Sequence, residues 1–225
     1  MSAKEWSWSY SKLKSYETCP KRCWHVDIAR DVVEPESDQL REGNEVHRAL
    51  ELAVSRNDPL PPGMGHLVEW VQKLHTARAA GWKLYVEQKL AITRDFSPCG
   101  YFDKRCWFRA KADVLAVKGT AALAIDWKTG KMKPDAPQLA LISACVFAHN
   151  PQIQKVQTEF VWLSEGERTP ASYTRADMPA FWSDMLPRVG DLEQATKTTT
   201  FPAKPGRLCA MWCPVTDCPY HGQRL

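Results

Sequence analysis

Two carboxylates that face each other across a tight hairpin constrain this chain more than anything else in its sequence. The segment is Arg109-Ala-Lys-Ala-Asp113-Val-Leu-Ala-Val-Lys118-Gly119-Thr120-Ala-Ala-Leu-Ala-Ile-Asp126-Trp127-Lys128. Gly119-Thr120 suits a two-residue turn of type II′, which wants Gly first. Pairing Lys118 with Ala121 then sets a register in which Asp113 lies directly opposite Asp126. Such partners hold their Cβ atoms about 5 Å apart on one face of the sheet, where like charges repel unless a cation joins them. Strand period puts Lys128 on the same face as Asp126 and turns Trp127 into the packing. Two carboxylates and an ammonium at one strand end suit phosphodiester hydrolysis. The carboxylates would hold Mg²⁺ or Mn²⁺, and Lys128 would orient the attacking water or stabilise the developing charge.

The remaining pattern supplies a scaffold. Ser9 is a candidate N-cap for a short helix that breaks near Cys19-Pro20, with another short segment from Arg22 to Arg30. Apolar positions at helical spacing predict helices from about Leu40 to Val54 and His66 to Ala80, separated by a Pro/Gly loop. Alternation predicts strands over Trp82–Ile92, Trp107–Val117, Ala121–Lys128 and Ile153–Leu163. Further helices are predicted from Pro134 or Asp135 through Phe147 and over about Asp177–Thr196. The order implies an α/β fold, a central mixed sheet flanked by helices. At 225 residues one domain is expected, with an N-terminal helical part (1–81), a catalytic sheet with helices (82–200) and a Cys-rich tail (201–225).

Charge and hydropathy narrow the class. The net charge of +4 permits a nucleic-acid partner without requiring one. No apolar run approaches the ~20 residues of a membrane span, and the first residues carry no signal-peptide core. A cytoplasmic protein without a membrane partner is expected.

Ile125-Asp126-Trp127-Lys128-Thr129-Gly130 closely resembles the D-x-K-T-G strand end of RecB-type nucleases in the PD-(D/E)XK superfamily. Asp113 matches the preceding metal-binding aspartate, and the resemblance extends over almost the whole chain. Gly43-Asn-Glu-Val-His47 matches the family's G-x-x-x-H helix, whose histidine is a further metal ligand. Glu87 matches a glutamate on the strand before the hairpin. Gln138 matches the opening residue of a Q-x-x-x-Y helix motif that helps position DNA, although Ile142 stands at the tyrosine place. The resemblance therefore implies a restriction-endonuclease-like core, with metal ligands His47, Asp113 and Asp126 and catalytic support from Lys128, Glu87 and Gln138.

Cysteine usage adds a second candidate centre. Cys209, Cys213 and Cys218 crowd the Pro-rich tail, and three thiolates there can converge on one metal. With His221 as fourth ligand the site would be local and suit tetrahedral zinc. With Cys19, or Cys23 in its place, it would join the two ends of the chain and suit an iron–sulfur cluster. The second completion resembles the branch that includes AddB and the CRISPR-associated RecB-like exonucleases, which implies a structural 4Fe–4S cluster on Cys19, Cys209, Cys213 and Cys218. The C-x-x-x-C spacing of Cys209 and Cys213 departs from that branch's C-x-x-C pair. Cys99, Cys106 and Cys145 read as core or surface thiols.

Lys12, Lys14, Lys21, Arg22, Lys131 and Lys133 are candidate phosphate contacts. Trp6, Trp8 and Tyr10 could stack on bases, or could staple the first helix to the core. No G-x-x-x-x-G-K-[ST] loop is present, so unwinding would fall to a helicase partner or to a substrate already single-stranded or open-ended. The resemblance implies a DNA exonuclease of recombination, replication or repair, in a phage setting acting in the host cytoplasm. The competing reading is a non-catalytic DNA-binding module stabilised by its cysteine-bound metal.

Overall fold

The computed structural model describes residues 5–224. In chain order the elements are β1 (Trp8–Ser9), α1 (Tyr10–Thr18), α2 (Pro20–Cys23) and a π-helical turn (Trp24–Ala29). Then come α3 (Asp38–Arg56), α4 (Val68–Ala79) and three strands, β2 (Lys83–Ile92), β3 (Phe108–Lys118) and β4 (Ala121–Lys128). Helix α5 (Ala136–His149), β5 (Lys155–Trp162), β6 (Glu167–Thr174) and α6 (Met178–Thr198) complete the order. Contacts divide the chain into two compact units. The larger comprises Ser37–Pro179 with the residues up to Ser7, and the smaller comprises Trp8–Glu36 with Ala180–Leu225.

In the larger unit β2–β6 lie side by side in a mixed sheet. The β2/β3, β3/β4 and β5/β6 pairs are antiparallel, and β4/β5 is parallel. A parallel pair needs a long crossover, and α5 supplies it. One face carries a cluster in which Leu50 and Val54 of α3 and Leu74 of α4 meet Val114, Ile125, Trp127 and Val161. On β5 the alternate residues Phe160 and Trp162 pack with Leu139 of α5. Strand period thus puts helices on both faces, as the sequence implies.

Local chemistry explains the element ends that matter for function. Ser37 caps α3 by accepting from Leu40 N–H at 3.2 Å, and Asn57 ends it in the left-handed region at φ 62°. Gly119 adopts φ 57°, while Thr120 is not among the positive-φ residues, as a type II′ turn requires. Two strands, the short β1 and β6, go beyond the expected four. β6 is polar and contains Pro170, which argues against an interior strand, yet it pairs along its whole length with β5 as the last strand of the sheet. An edge position tolerates a residue without an N–H. The stretch expected as one helix from His66 instead opens as a 3₁₀ turn, Gly65–Leu67, before α4.

In the smaller unit the two ends of the chain are stitched together. Arg188 of α6 donates to Glu17 of α1 at 2.7 and 2.9 Å. Lys21 N–H donates to the Pro202 carbonyl at 3.2 Å, and Phe201 packs against Tyr16 and Trp24. No helix among the described residues is long and apolar enough to cross a membrane.

Candidate active site and cysteine pocket

The β3/β4 ladder runs from Lys118↔Ala121 to Val114↔Ile125. The next step of that register places Asp113 opposite Asp126, as the hairpin count expects. There the backbone ladder gives way to a side chain: Trp127 N–H donates to Asp113 Oδ2 at 2.8 Å. Both aspartates are buried, at 7% and 6% exposure. Across the other edge of β3, the β2 register passes from Val86↔Val114 to Gln88↔Ala112. Glu87 falls between them, opposite Asp113, with a left-handed backbone at φ 54°.

Helix α3 brings the fourth group. His47 Nδ1 lies 3.4 Å from Asp113 Oδ1. His47, Glu87 and Asp113 each offer a ligand atom, and all three atoms lie within 4.8 Å of one another. Asp126 stands beside this trio with its own partners. Gln138 Nε2 donates to its Oδ1 at 2.7 Å, and Lys128 Nζ lies 2.6 Å from its Oδ2. Lys128 also donates to Gln138 Oε1 at 3.2 Å, so Gln138 holds the aspartate and the lysine together. Ile142, at the tyrosine place, is 2% exposed in α5.

The electrostatics follow from this crowding. The hydrogen bond to Asp113 pushes the His47 imidazolium up in pKa, against burial, and the three carboxylates add to the effect. Burial raises the Asp126 carboxyl above its ordinary range, Lys128 pulls it down and Asp113 pushes it up again. Asp126 Oδ2 is buried against the Lys128 ammonium, while His47, Glu87 and Asp113 turn their ligand atoms toward one another within 4.8 Å. A hard divalent ion fits this donor set of carboxylates and one imidazole.

Two backbone details carry predictions. A Cβ on Gly43 would sit 2.9 Å from Thr129 Oγ1, so the G-x-x-x-H spacing lets α3 press onto the strand end and deliver His47. Gly43→Ala is expected to cost about 1–3 kcal/mol by overpacking and to weaken metal binding. Adding Thr129→Ala should restore most of both, measured by thermal melts and metal titration of the single and double variants. Glu87 pays the left-handed penalty of roughly 1 kcal/mol or more. Glu87→Gly should therefore be more stable than Glu87→Ala by about 1 kcal/mol, reversing the usual strand order in which Gly is the worse residue. Equal melting temperatures for the two variants would remove the strain argument.

Lys111 is a site neighbour the sequence reading passed over. It forms an ion pair with Glu87. Its signal was available: it lies two residues before Asp113 and so shares its face. Beyond the strand end, Lys131 and Lys133 are exposed. Lys131 lines a groove with Gln39, Gly43, His66, Thr129 and Ser164. Among the other expected DNA contacts, Trp8 is 1% exposed and belongs to the core, because a large ring on so short a strand gains more from burial than from display. Arg22 is engaged by Glu34 and Ser15. Lys14 is exposed, whereas Lys12, Lys21, Trp6 and Tyr10 are half-buried.

In the smaller unit, Cys19, Cys209, Cys213 and Cys218 line one pocket, with His221 also on its wall. Backbone N–H groups point at two of the sulfurs: Lys204 N to Cys19 Sγ at 3.5 Å, and Gly206 N to Cys209 Sγ at 3.4 Å. Burial raises the Cys213 thiol, with Cys19 and Cys209 contributing. Cys23 does not line this pocket. It is fully buried, its Sγ lies 3.8 Å from the Lys12 carbonyl, and burial pushes its thiol up to about 11. Cys106 and Cys145 are buried in the larger unit, and Cys99 is half-buried.

A sequence profile of the PD-(D/E)XK nuclease superfamily matches residues 7–222. Among solved structures, the crystal structure of SSO0001 superposes with a TM-score of 0.50 at 11% identity, covering 97% of this chain and 88% of that one. At that identity the likeness is one of fold. A comparison with curated proteins finds no match.

Proposed function

Because this chain belongs to the PD-(D/E)XK nuclease superfamily, we propose that it is a metal-dependent DNA nuclease of the RecB type, acting as an exonuclease on single strands or DNA ends. The observation that carries the reading is the convergence of His47, Glu87 and Asp113 from three elements beside the Asp126–Lys128–Gln138 network. Asp113 and Asp126 are buried, a placement of charge costly for folding alone, and groups shifted by burial and by their neighbours, as Asp126 and His47 are, mark functional sites.

His47, Glu87, Asp113 and Asp126 would hold the ion, Mg²⁺ or Mn²⁺. When bound, such an ion polarises the scissile phosphate and acidifies a water for attack. The chain's own groups do the rest. Lys128 presents an ammonium to the charge that develops on the phosphate oxygens. Gln138 fixes Lys128 against Asp126, and the Trp127 N–H fixes Asp113. Lys131 and Lys133 supply phosphate contacts that set the position of the strand without reading its sequence.

We propose an iron–sulfur centre at the cysteine pocket, as in the branch of the family that carries one. Cys19, Cys209, Cys213 and Cys218 line that pocket together, and backbone N–H groups aimed at Cys19 and Cys209 suit the sulfur ligands of such a centre.

The test is degradation of end-labelled linear DNA, single- and double-stranded, with Mg²⁺, Mn²⁺ or EDTA. Shortening from labelled ends in the presence of either ion, and none in EDTA, is the expected outcome. No cleavage by metal-replete, anaerobically prepared protein would remove the nuclease reading.

A further inference from the structure

Beyond Glu87 and Asp113 the β2/β3 ladder continues outward, and the next pair on the same face is Lys89↔Lys111. Like charges directly opposite each other destabilise a sheet. Lys111 is joined to Glu87, but Lys89 rests its ammonium on two rings, 5.7 Å from the centroid of Tyr101 and 5.4 Å from that of Phe102. These rings stand edge to face at 5.2 Å. Arg109, the next basic residue along β3, fixes them from beneath. Its Nε donates to the Tyr101 carbonyl at 2.6 Å, its Nη1 donates to Ser7 Oγ at 2.8 Å, and its guanidinium lies 5.6 Å from the Tyr101 ring centroid. Phe102 is 79% exposed.

From this we infer that Phe102, backed by Tyr101 and flanked by Lys89 and Lys111, is a stacking platform for an unpaired base of the DNA strand engaged at the metal site. The inference rests on the nuclease reading and specifies its substrate as single-stranded or frayed. Phe102 leaves most of its ring in water despite its contacts with Tyr101 and Lys89, and a base has a π-face to place on it. Lys111 is neutralised by Glu87, whereas Lys89 rests on aromatic rings, and a phosphate beside Lys89 would relieve the repulsion between the pair. Each two-residue step along a strand is ~7 Å. The lysine pair therefore stands about one such step from Asp113 and Arg109 about two, a spacing comparable to that of successive phosphates in an extended single strand. A duplex keeps its bases stacked on one another and has none to offer.

The experiment is equilibrium binding of fluorescein-labelled oligothymidine and of a blunt duplex, in EDTA so that nothing is cut, read by anisotropy. Phe102→Ala is expected to weaken oligothymidine binding about tenfold, with duplex binding unchanged, and Phe102→Trp to keep wild-type affinity. Lys89→Gln should lower the salt dependence by about one ion. Circular dichroism checks that the exposed tip tolerates each change. Phe102→Ala within twofold of wild type on oligothymidine, or weakened equally on both DNAs, would overturn the platform while leaving the nuclease reading standing. Wild type that neither binds nor cuts DNA would overturn both.

Discussion

Asp126→Asn is expected to abolish metal-dependent cleavage while making the metal-free protein slightly more stable. The activity loss should be on the order of 10³-fold or more, the scale reached when a charged group at the reacting phosphate is removed. The gain in stability has a separate cause. Burial makes the ionised Asp126 unfavourable and Asp113 adds repulsion, against the attraction of Lys128. A carboxyl whose folded pKa is raised favours the fold fully below its unfolded value of about 3.9. That contribution is lost as pH rises through the folded pKa. At neutral pH the wild type therefore carries the full cost of the charge, and asparagine removes it while keeping an oxygen for the Gln138 amide. A gain of about 1 kcal/mol, or ~2–4 °C in melting temperature, is expected. Adding Mg²⁺ or Mn²⁺ should raise the melting temperature of the wild type and leave the variant nearly unmoved. A variant that melts lower without metal would show that the Lys128–Asp126 ion pair outweighs the desolvation of its carboxylate.

The second large effect is expected at the other end of the chain. Anaerobically purified protein should carry iron and inorganic sulfide in near-equal amounts, with little zinc. Cys209→Ser should lose both and melt lower by roughly 10 °C, since a centre bound only by the folded state adds about 4 kcal/mol once available at a thousand times its dissociation constant. The loss has a structural route. The pocket joins Cys19 to the tail in the unit where Arg188 grips Glu17 and Lys204 reaches the Glu17 carbonyl. Without its metal that unit would keep those bonds, the Lys21–Pro202 bond and the Phe201 contacts but lose the cross-link between Cys19 and the tail. Cys23→Ser should keep its iron, because Cys23 lies outside the pocket. Zinc without iron in the wild type, or iron retained in Cys209→Ser, would refute the assignment.

The residues of the hairpin were legible because their relation is local. A two-residue turn and a period of two fix which side chains share a face, so Lys118↔Ala121 sufficed to pair Asp113 with Asp126. The same short-range rules marked α3 and α4 as amphipathic, Gly119 as the turn residue and Trp127 as the inward neighbour. They failed at β6, where a strand without an apolar stripe exists only because β5 offers it an edge. The group around the hairpin was nameable from the family resemblance, but its geometry was not. That Gln138 joins Asp126 to Lys128, that Glu87 reaches Asp113 through a left-handed backbone, and that Gly43 is set by Thr129 depend on contacts between separate elements.

Local sequence rules suffice for the two facing carboxylates, their lysine, and the alternation of strands and helices that makes a mixed sheet. The family resemblance named Cys19 or Cys23 as partner to Cys209, Cys213 and Cys218; it took the folded chain to put Cys19 on the pocket and pack Cys23 away, and to set Lys89 opposite Lys111 beside an exposed Phe102. The physical reason is range. Hairpin register is set by bond geometry over a few residues, whereas meetings between distant segments are selected by burial and packing of the whole chain.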